Sequence, residues 1–516
     1  MSEVLFGQSY YLRFDPKLWE AMQPYPPLGT LFAASYLREQ GYDVALFDAM
    51  LAESEEEWDR ALAREQPRYA VIYEDNFNYL SKMCLLRMRE AAFTMIEMAK
   101  RRGCTVIVAG SDASDHWGRY IKAGADYVLI GEGELTLGEL MDTLSGKSDA
   151  PFGSILGLAY RDDASPSGAV CNPRRPDIKD PDILPFPAWD LVDIPRYQDI
   201  WYTHHGYYSM NMVTTRGCPF HCNWCAKPIW GQRYNVRSPE NVAAEMKWLK
   251  EQFNPDHIWF VDDIMGLKPR WLPRFAELLE EYDAKIPFKA LNRADLLLRG
   301  DTIEQLARAG AKTVWIGAES GSQKILDAME KGTKVEQIYE ASRRLHAAGI
   351  EVCFFLQFGY PGETREDIEL TLKMVRECKP DDIGMSVSYP LPGTKFYERV
   401  RDELGVKQNW LDSNDLAMLY RGPYSTEFYR QLHTVLHKEF RARKSWDELK
   451  RLPRNPRAAR KKHLRQAAAM VYHTISLPLE RRKLDRLGRN SDGGIGPLPR
   501  EFDQEAAATP SPQTEA

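Results

Sequence analysis

The chain has 516 residues, 44% of them hydrophobic and 28% charged, with a formal net charge of -6 at pH 7. These values fit a soluble globular enzyme of two or three domains and carry no overall nucleic-acid signal. Five of the eight cysteines (Cys84, Cys104, Cys171, Cys353 and Cys378) are scattered singly, which excludes a disulfide framework and points to a reducing cytoplasm. The N-terminus has no basic region followed by an apolar stretch and a cleavage site. No uncharged apolar run is long enough to span a bilayer, so the expectation is a cytoplasmic chain that can meet the inner membrane face only peripherally.

Residues 1–145 alternate strand-like and helix-like patterns. Apolar residues recur at helical spacing over 28–40, and Gly41 ends that helix. Strand-like runs follow at 42–48, 69–73, 105–109 and 127–130, with a helix over 87–101. This rhythm predicts a doubly wound parallel sheet, which binds ligands at the carboxyl ends of its strands. Gly29, Asp75, Gly110, Ser111 and Gly131 fall near such ends. Residues 146–206 read as a linker: one strand of a small hairpin at 155–161, then Pro173, Pro176, Pro181, Pro185 and Pro187. Proline makes this stretch extended, and its large apolar groups should dock it between domains.

The run over 210–215 reads as a strand, and Arg216-Gly217-Cys218-Pro219-Phe220-His221-Cys222-Asn223-Trp224-Cys225 follows it. The C-x-x-x-C-x-x-C spacing puts three thiolates on a loop leaving a strand end. Three such thiolates can hold one metal centre and leave a coordination position open. Cysteine thiolates hold iron–sulfur clusters, and a cubane on Cys218, Cys222 and Cys225 would leave one of its irons for a small molecule. A zinc site completed by His221 or His257 is the competing reading. Strand–helix alternation then runs over 207–400, enough for a partial (β/α)6 barrel with its chemistry at the strand carboxyl ends. Those ends carry Asp262-Asp263, Asn292-Arg293, Glu319-Ser320 and Gln357-Phe358-Gly359. Asp263 and Glu319 would also serve as helix N-caps.

Residues 401–488 lack strand patterns. Phe428, Leu432, Val435, Leu436 and Phe440 recur at helical spacing, and 444–489 is rich in Arg and Lys. A basic amphipathic region can lie on an anionic membrane or pack on the barrel with a solvated face. The tail over 489–516 has a disordered composition.

The cysteine spacing, with aromatic Trp224 before the third cysteine, resembles the signature of the radical S-adenosylmethionine (SAM) enzymes, and the barrel-strand endings resemble that family throughout. The resemblance implies a [4Fe-4S] cluster whose open iron chelates SAM, reductive cleavage of SAM to a 5′-deoxyadenosyl radical, and an electron donor such as flavodoxin or ferredoxin. It puts Trp224 and Gln357-Gly359 near the adenine, Asp262-Asp263 near the methionine end, and Asn292, Glu319 and Ser320 near the ribose and amino groups. Pro27-Leu28-Gly29, Ala109-Gly110-Ser111 and Gly131-Glu132-Gly133-Glu134 resemble the cobalamin-binding domain that precedes many radical SAM domains. Gly29, Gly110, Ser111 and Gly131 would then lie along the corrin. The D-x-H-x-x-G motif that brings a histidine to cobalt is absent, since Asp115-His116-Trp117-Gly118 has the wrong spacing. Segments 76–84 and 415–429 resemble the anaerobic magnesium-protoporphyrin monomethyl ester cyclases. Together these resemblances imply methylation of an unactivated carbon in an apolar, lipid-like or tetrapyrrole-like substrate, or oxidative cyclisation. A non-catalytic metal-binding protein on a degenerate enzyme fold is the remaining alternative.

Overall fold

The computed structural model describes residues 2–78, 85–225, 229–405, 409–411, 413, 415–451 and 461–489. The disordered tail expected from 489 therefore lies almost wholly outside the described residues, as does most of the 76–84 segment.

Strands β1 (Val4–Gly7), β2 (Val44–Leu46), β3 (Tyr69–Tyr73), β4 (Thr105–Ala109) and β5 (Tyr127–Leu129) form the predicted parallel sheet in the order β2-β1-β3-β4-β5. Parallel strands buried on both faces read as continuous apolar runs, and Tyr69–Tyr73 is buried throughout. One face packs Phe6, Val71 and Ile107 against Ala33 and Leu37 of the helix Leu28–Glu39 and Leu137 and Leu140 of the helix Glu134–Leu144. The other packs Leu5, Ala70 and Ile72 against Trp58, Ala91 and Met95. Helices on both faces make the sheet doubly wound.

The stretch expected to be linker does more than connect. Its hairpin, β6 (Leu158–Arg161) and β7 (Ala169–Cys171), joins the same sheet antiparallel beside β5. The pairing satisfies backbone groups that an exposed edge strand would present. Beyond the hairpin the expected docking holds: Trp189 is fully buried, and the Ala188 amide donates to Leu31 O at 3.2 Å. A further helix, Ile194–His205, has strong punctuation: Asp193 caps it, proline stands in its first turn and Gly206 ends it at φ 77°.

The second sheet contains β8 (Ser209–Met212), followed by the small antiparallel pair β9 (Thr215–Arg216) and β10 (Asn235–Val236) that stands apart from it. Then come β11 (His257–Phe260), β12 (Phe288–Asn292), β13 (Ala311–Glu319), β14 (Glu351–Phe358) and β15 (Asp382–Val387). The order β15-β14-β13-β12-β11-β8 is sequential and every pair is parallel, which makes the expected partial barrel. Its outer face buries Phe260, Phe288, Ala290, Val314 and Ile316 beneath the crossover helices.

The C-terminal region is helical, with two long helices, Thr426–Arg451 and Lys461–Arg489, packed side by side. Phe428, Leu432, Val435, Leu436 and Phe440 are all buried, as their spacing predicts. Among the described residues no helix is long and apolar enough to cross a membrane.

Candidate functional site

The cysteine loop is fastened on every side. Below it, the buried Asp262 carboxylate accepts the Thr214 and Thr215 amides at 2.6 and 2.8 Å and the Thr214 hydroxyl at 2.7 Å. Burial pushes its pKa up to about 6 against those hydrogen bonds. Asp262 thus acts on the backbone leading into the loop, and half-buried Asp263 follows it at the same strand end. Gly217 turns the chain at φ 81°, where a Cβ would come within 2.6 Å of Arg233 O. Above, Asn223 is held four ways. Its amide donates to Met329 O (3.0 Å) and its carbonyl accepts the Phe396 amide (3.0 Å). Its Nδ2 donates to Ala328 O (2.8 Å) and its Oδ1 accepts the Tyr360 hydroxyl (2.8 Å).

Cys222 is buried, while Cys218 and Cys225 are half-buried. Arg293 Nη1 donates to Cys222 Sγ at 3.7 Å, and its guanidinium carbon lies 3.7 Å from the Phe220 ring centroid. Beside it the buried Lys331 pairs with Glu319 at 2.8 Å. Burial disfavours the Lys331 charge, but Glu319 and Cys222 hold its pKa above the ordinary value. The loop, its left-handed turn and two cations beside a buried thiol fit an anionic thiolate cluster. The zinc reading loses one proposed ligand. His257 opens β11, pairs with Ser209 at the amino end of β8 and accepts or donates to Ser209 Oγ at 2.9 Å, a strand length from the cysteines. His221 is exposed.

The remaining barrel candidates line the same strand ends. Glu319 adopts φ 57° where the β13–β14 register shifts. Ser320 Oγ accepts the Ser322 amide at 3.1 Å, and Asn292 Nδ2 donates to Met265 O at 3.1 Å. Gly359 stands at φ 80°, its amide donating to Glu363 at 2.8 Å and its carbonyl accepting the Tyr420 hydroxyl. Gln357 Oε1 and Trp224 Nε1 are buried with no hydrogen-bond partner among the described residues. Such orphaned polar atoms are rare in folded interiors and fit a polar ligand at this edge.

On the first sheet, Gly29 and Asp75 come together, the Gly29 amide donating to Asp75 Oδ1 at 2.9 Å. Gly110 packs on Glu74, where a Cβ would come within 2.8 Å. Ser111 is buried just beyond Gly110, and Gly131, at φ 80°, lies under Arg174. Gln8 Nε2 and Asn76 Oδ1, just past β1 and β3, are likewise buried without a partner among the described residues. They fit a polar group laid over this edge. His116 stands at the break between two short helices, 3.7 Å from Asp112.

Sequence reasoning missed how the two edges meet. Arg216, beside the first cysteine's glycine, is buried and pairs with Glu132 at 2.9 Å and Glu134 at 2.8 Å. Glu132 lies in the loop that follows β5, and Glu134 opens the helix Glu134–Leu144. Trp230 Nε1 donates to Glu132 at 2.8 Å, and Phe32, Phe77 and Trp230 surround the guanidinium at 5.5 to 5.8 Å. The G-E-G-E phrase was visible, but its partner some 80 residues away was not.

Residues 212–375 match the family described as the Radical SAM superfamily. The chain is 28% identical to an uncharacterized methyltransferase of Pyrococcus horikoshii, over 75% of this chain and 81% of that one. It is 26% identical to the anaerobic magnesium-protoporphyrin IX monomethyl ester cyclase of Rubrivivax gelatinosus, over 74% and 67%. The fold is similar to that of the radical SAM methyltransferase TsrM from Kitasatospora setae, solved with cobalamin and a [4Fe-4S] cluster bound. That match has a TM-score of 0.63 at 20% identity and covers 78% of each chain.

Proposed function

We propose that this chain, whose residues 212–375 match the Radical SAM superfamily, is a radical SAM enzyme that couples that chemistry to a cobalamin on its first sheet in order to methylate an unactivated carbon of an apolar small molecule. One observation carries the reading. The carboxyl edges of both sheets, each with orphaned buried polar atoms, meet at the Arg216–Glu132–Glu134 cluster. Similarity to a protein named a methyltransferase, and to the fold of one solved with cobalamin, supports it. When bound, the cluster supplies the electron that cleaves SAM and cobalamin supplies the methyl group.

The chain's own residues position and shield. Cys218, Cys222 and Cys225 would hold the cluster, with Arg293 and Lys331 balancing its negative charge. Asp262 and Asn223 fix the loop from below and above. Trp224, Asp263, Asn292, Glu319, Ser320, Gln357 and Gly359 would receive SAM, and Gly29, Gly110, Ser111 and Gly131 would lie along the corrin. A flavodoxin or ferredoxin would deliver electrons.

The helix Lys461–Arg489 supports contact with an anionic membrane surface. Tyr472, Ile475 and Leu479, 61%, 70% and 65% exposed, share one face at i, i+3, i+7 spacing. Exposed Arg482, Lys483 and Arg486 continue that face, a pairing suited to an anionic bilayer.

The test is anaerobic reconstitution with SAM, reductant and cobalamin, followed by chromatography. Methyl transfer requires both 5′-deoxyadenosine and S-adenosylhomocysteine, the latter only with cobalamin. 5′-Deoxyadenosine without S-adenosylhomocysteine would favour cyclisation, the second reading. A protein that assembles no iron–sulfur cluster overturns both.

A further inference from the structure

Residues paired across parallel strands share a sheet face. On the barrel's inner face Trp259 pairs with Lys289, Lys289 with Thr313, Leu291 with Trp315, and Gly317 with Phe355. The outer face is sealed by helices, but this one is not. Trp259, Lys289, Leu291 and Trp315 are half-buried. Phe355, 39% exposed, stacks on Trp315 with ring centroids 4.5 Å apart. The result is an accessible aromatic wall inside the barrel.

Lys289 is the cation in that wall. Its Nζ lies 4.2 Å from the Trp259 ring centroid and 5.3 Å from that of Tyr25, which reaches in from the first domain. Among the described residues no carboxylate forms an ion pair with it. Burial pulls its pKa down to about 8, with Cys353 and Asp382 opposing more weakly. The neighbouring His257 is held neutral, first by burial and then by Lys289. The ammonium therefore remains largely charged at neutral pH, with ring faces as its contacts. A ring face compensates a desolvated cation in part, and an oxyanion would add a charge-assisted hydrogen bond. No second cation stands among the inner-face residues paired with Lys289. That favours a singly charged carboxylate over a phosphate.

We propose that this inner face is the substrate site and that Lys289 fixes a carboxylate on an otherwise apolar, ring-bearing substrate. The inference rests on the reading above in taking the small molecule into the barrel. It makes Lys289 a specificity-determining residue, with Trp259, Leu291, Trp315 and Phe355 as the apolar wall.

The test is calorimetric titration of the full-length protein with 1-naphthylacetate and its neutral partner 1-naphthylacetamide. The expected result is roughly tenfold tighter binding of the carboxylate, about 1.4 kcal/mol. Lys289→Met should abolish that preference and leave the amide affinity unchanged. Lys289→Arg should retain the preference, and Phe355→Ala should weaken both ligands alike. Equal affinities in the unaltered protein, a preference that survives Lys289→Met, or no binding of either probe overturns the proposal. The titration needs no SAM cleavage. A preference found in a protein that forms no 5′-deoxyadenosine would sink the proposed reaction and leave this site standing, and the converse would sink this site alone.

Discussion

Arg216 Nη1 and Glu132 Oε1 stand 2.9 Å apart in a buried setting, though one ends β9 just before the cysteine loop and the other lies just past β5 of the first sheet. Removing one partner of such a cluster strands charge in a low dielectric. Arg216→Met should therefore cost roughly 3–5 kcal/mol, read by chemical denaturation. Glu132→Gln with Glu134→Gln in the Arg216→Met background should recover part of that loss. An Arg216→Met protein as stable as the parent would mean that the cluster does not hold the domains together.

Arg293 donates to Cys222 Sγ at 3.7 Å. Outer-shell partners of metal ligands are worth about 10–100-fold in affinity or activity. Arg293→Met should keep the three cysteines yet lower cluster occupancy or 5′-deoxyadenosine formation by that factor. Loss of the positive charge should also move the cluster potential to more negative values, and Arg293→Lys should restore part of the shift. Voltammetry of the reconstituted protein measures it, and an unchanged potential counts against the role.

Glu363 accepts the Gly359 amide at 2.8 Å, and burial pushes its pKa from 4.5 to about 8. The folded protein thus keeps a proton that the unfolded chain releases. Stability from this group is full below about 4.5 and is lost as pH rises through about 8. Glu363→Gln should flatten the fall in melting temperature between pH 5 and pH 8. A parallel fall in both proteins would place the titration elsewhere.

Ile475→Glu combined with Leu479→Glu puts two charges into the exposed stripe of the last helix without touching buried Leu484 on its packed side. Co-sedimentation with vesicles rich in phosphatidylserine should drop severalfold, while binding to neutral vesicles should be low for both proteins. Equal sedimentation of parent and variant would remove the membrane contact.

Both sheets were legible because their parallel strands leave apolar runs such as 69–73 and 352–356, punctuated by glycine. The cysteine loop was legible because its spacing is local. What stayed hidden is long-range. Leu158–Arg161 looked like half of an isolated hairpin, because nothing local says that β5 needs an edge partner. Asp262 stood out as a strand-end acid, but only the fold shows its carboxylate turned onto Thr214 and Thr215. Lys289 sits among apolar residues in the sequence, and the rings that surround it come from Tyr25 and Trp259, distant in the chain.

The segment after the barrel touches both halves. Trp410 O accepts the Leu86 amide at 2.8 Å, Ser413 reaches Asp15 at 3.3 Å, and Tyr420 closes on the Gly359 carbonyl. Domains fold as they leave the ribosome, N-terminal first. Every strand of both sheets precedes residue 388 in the chain, so the sheets can be complete before this clasp has been synthesised. The clasp can close only once both sheets have been synthesised, so the order of synthesis leaves an interval in which each nascent molecule has its two sheets but not yet the segment that ties them together.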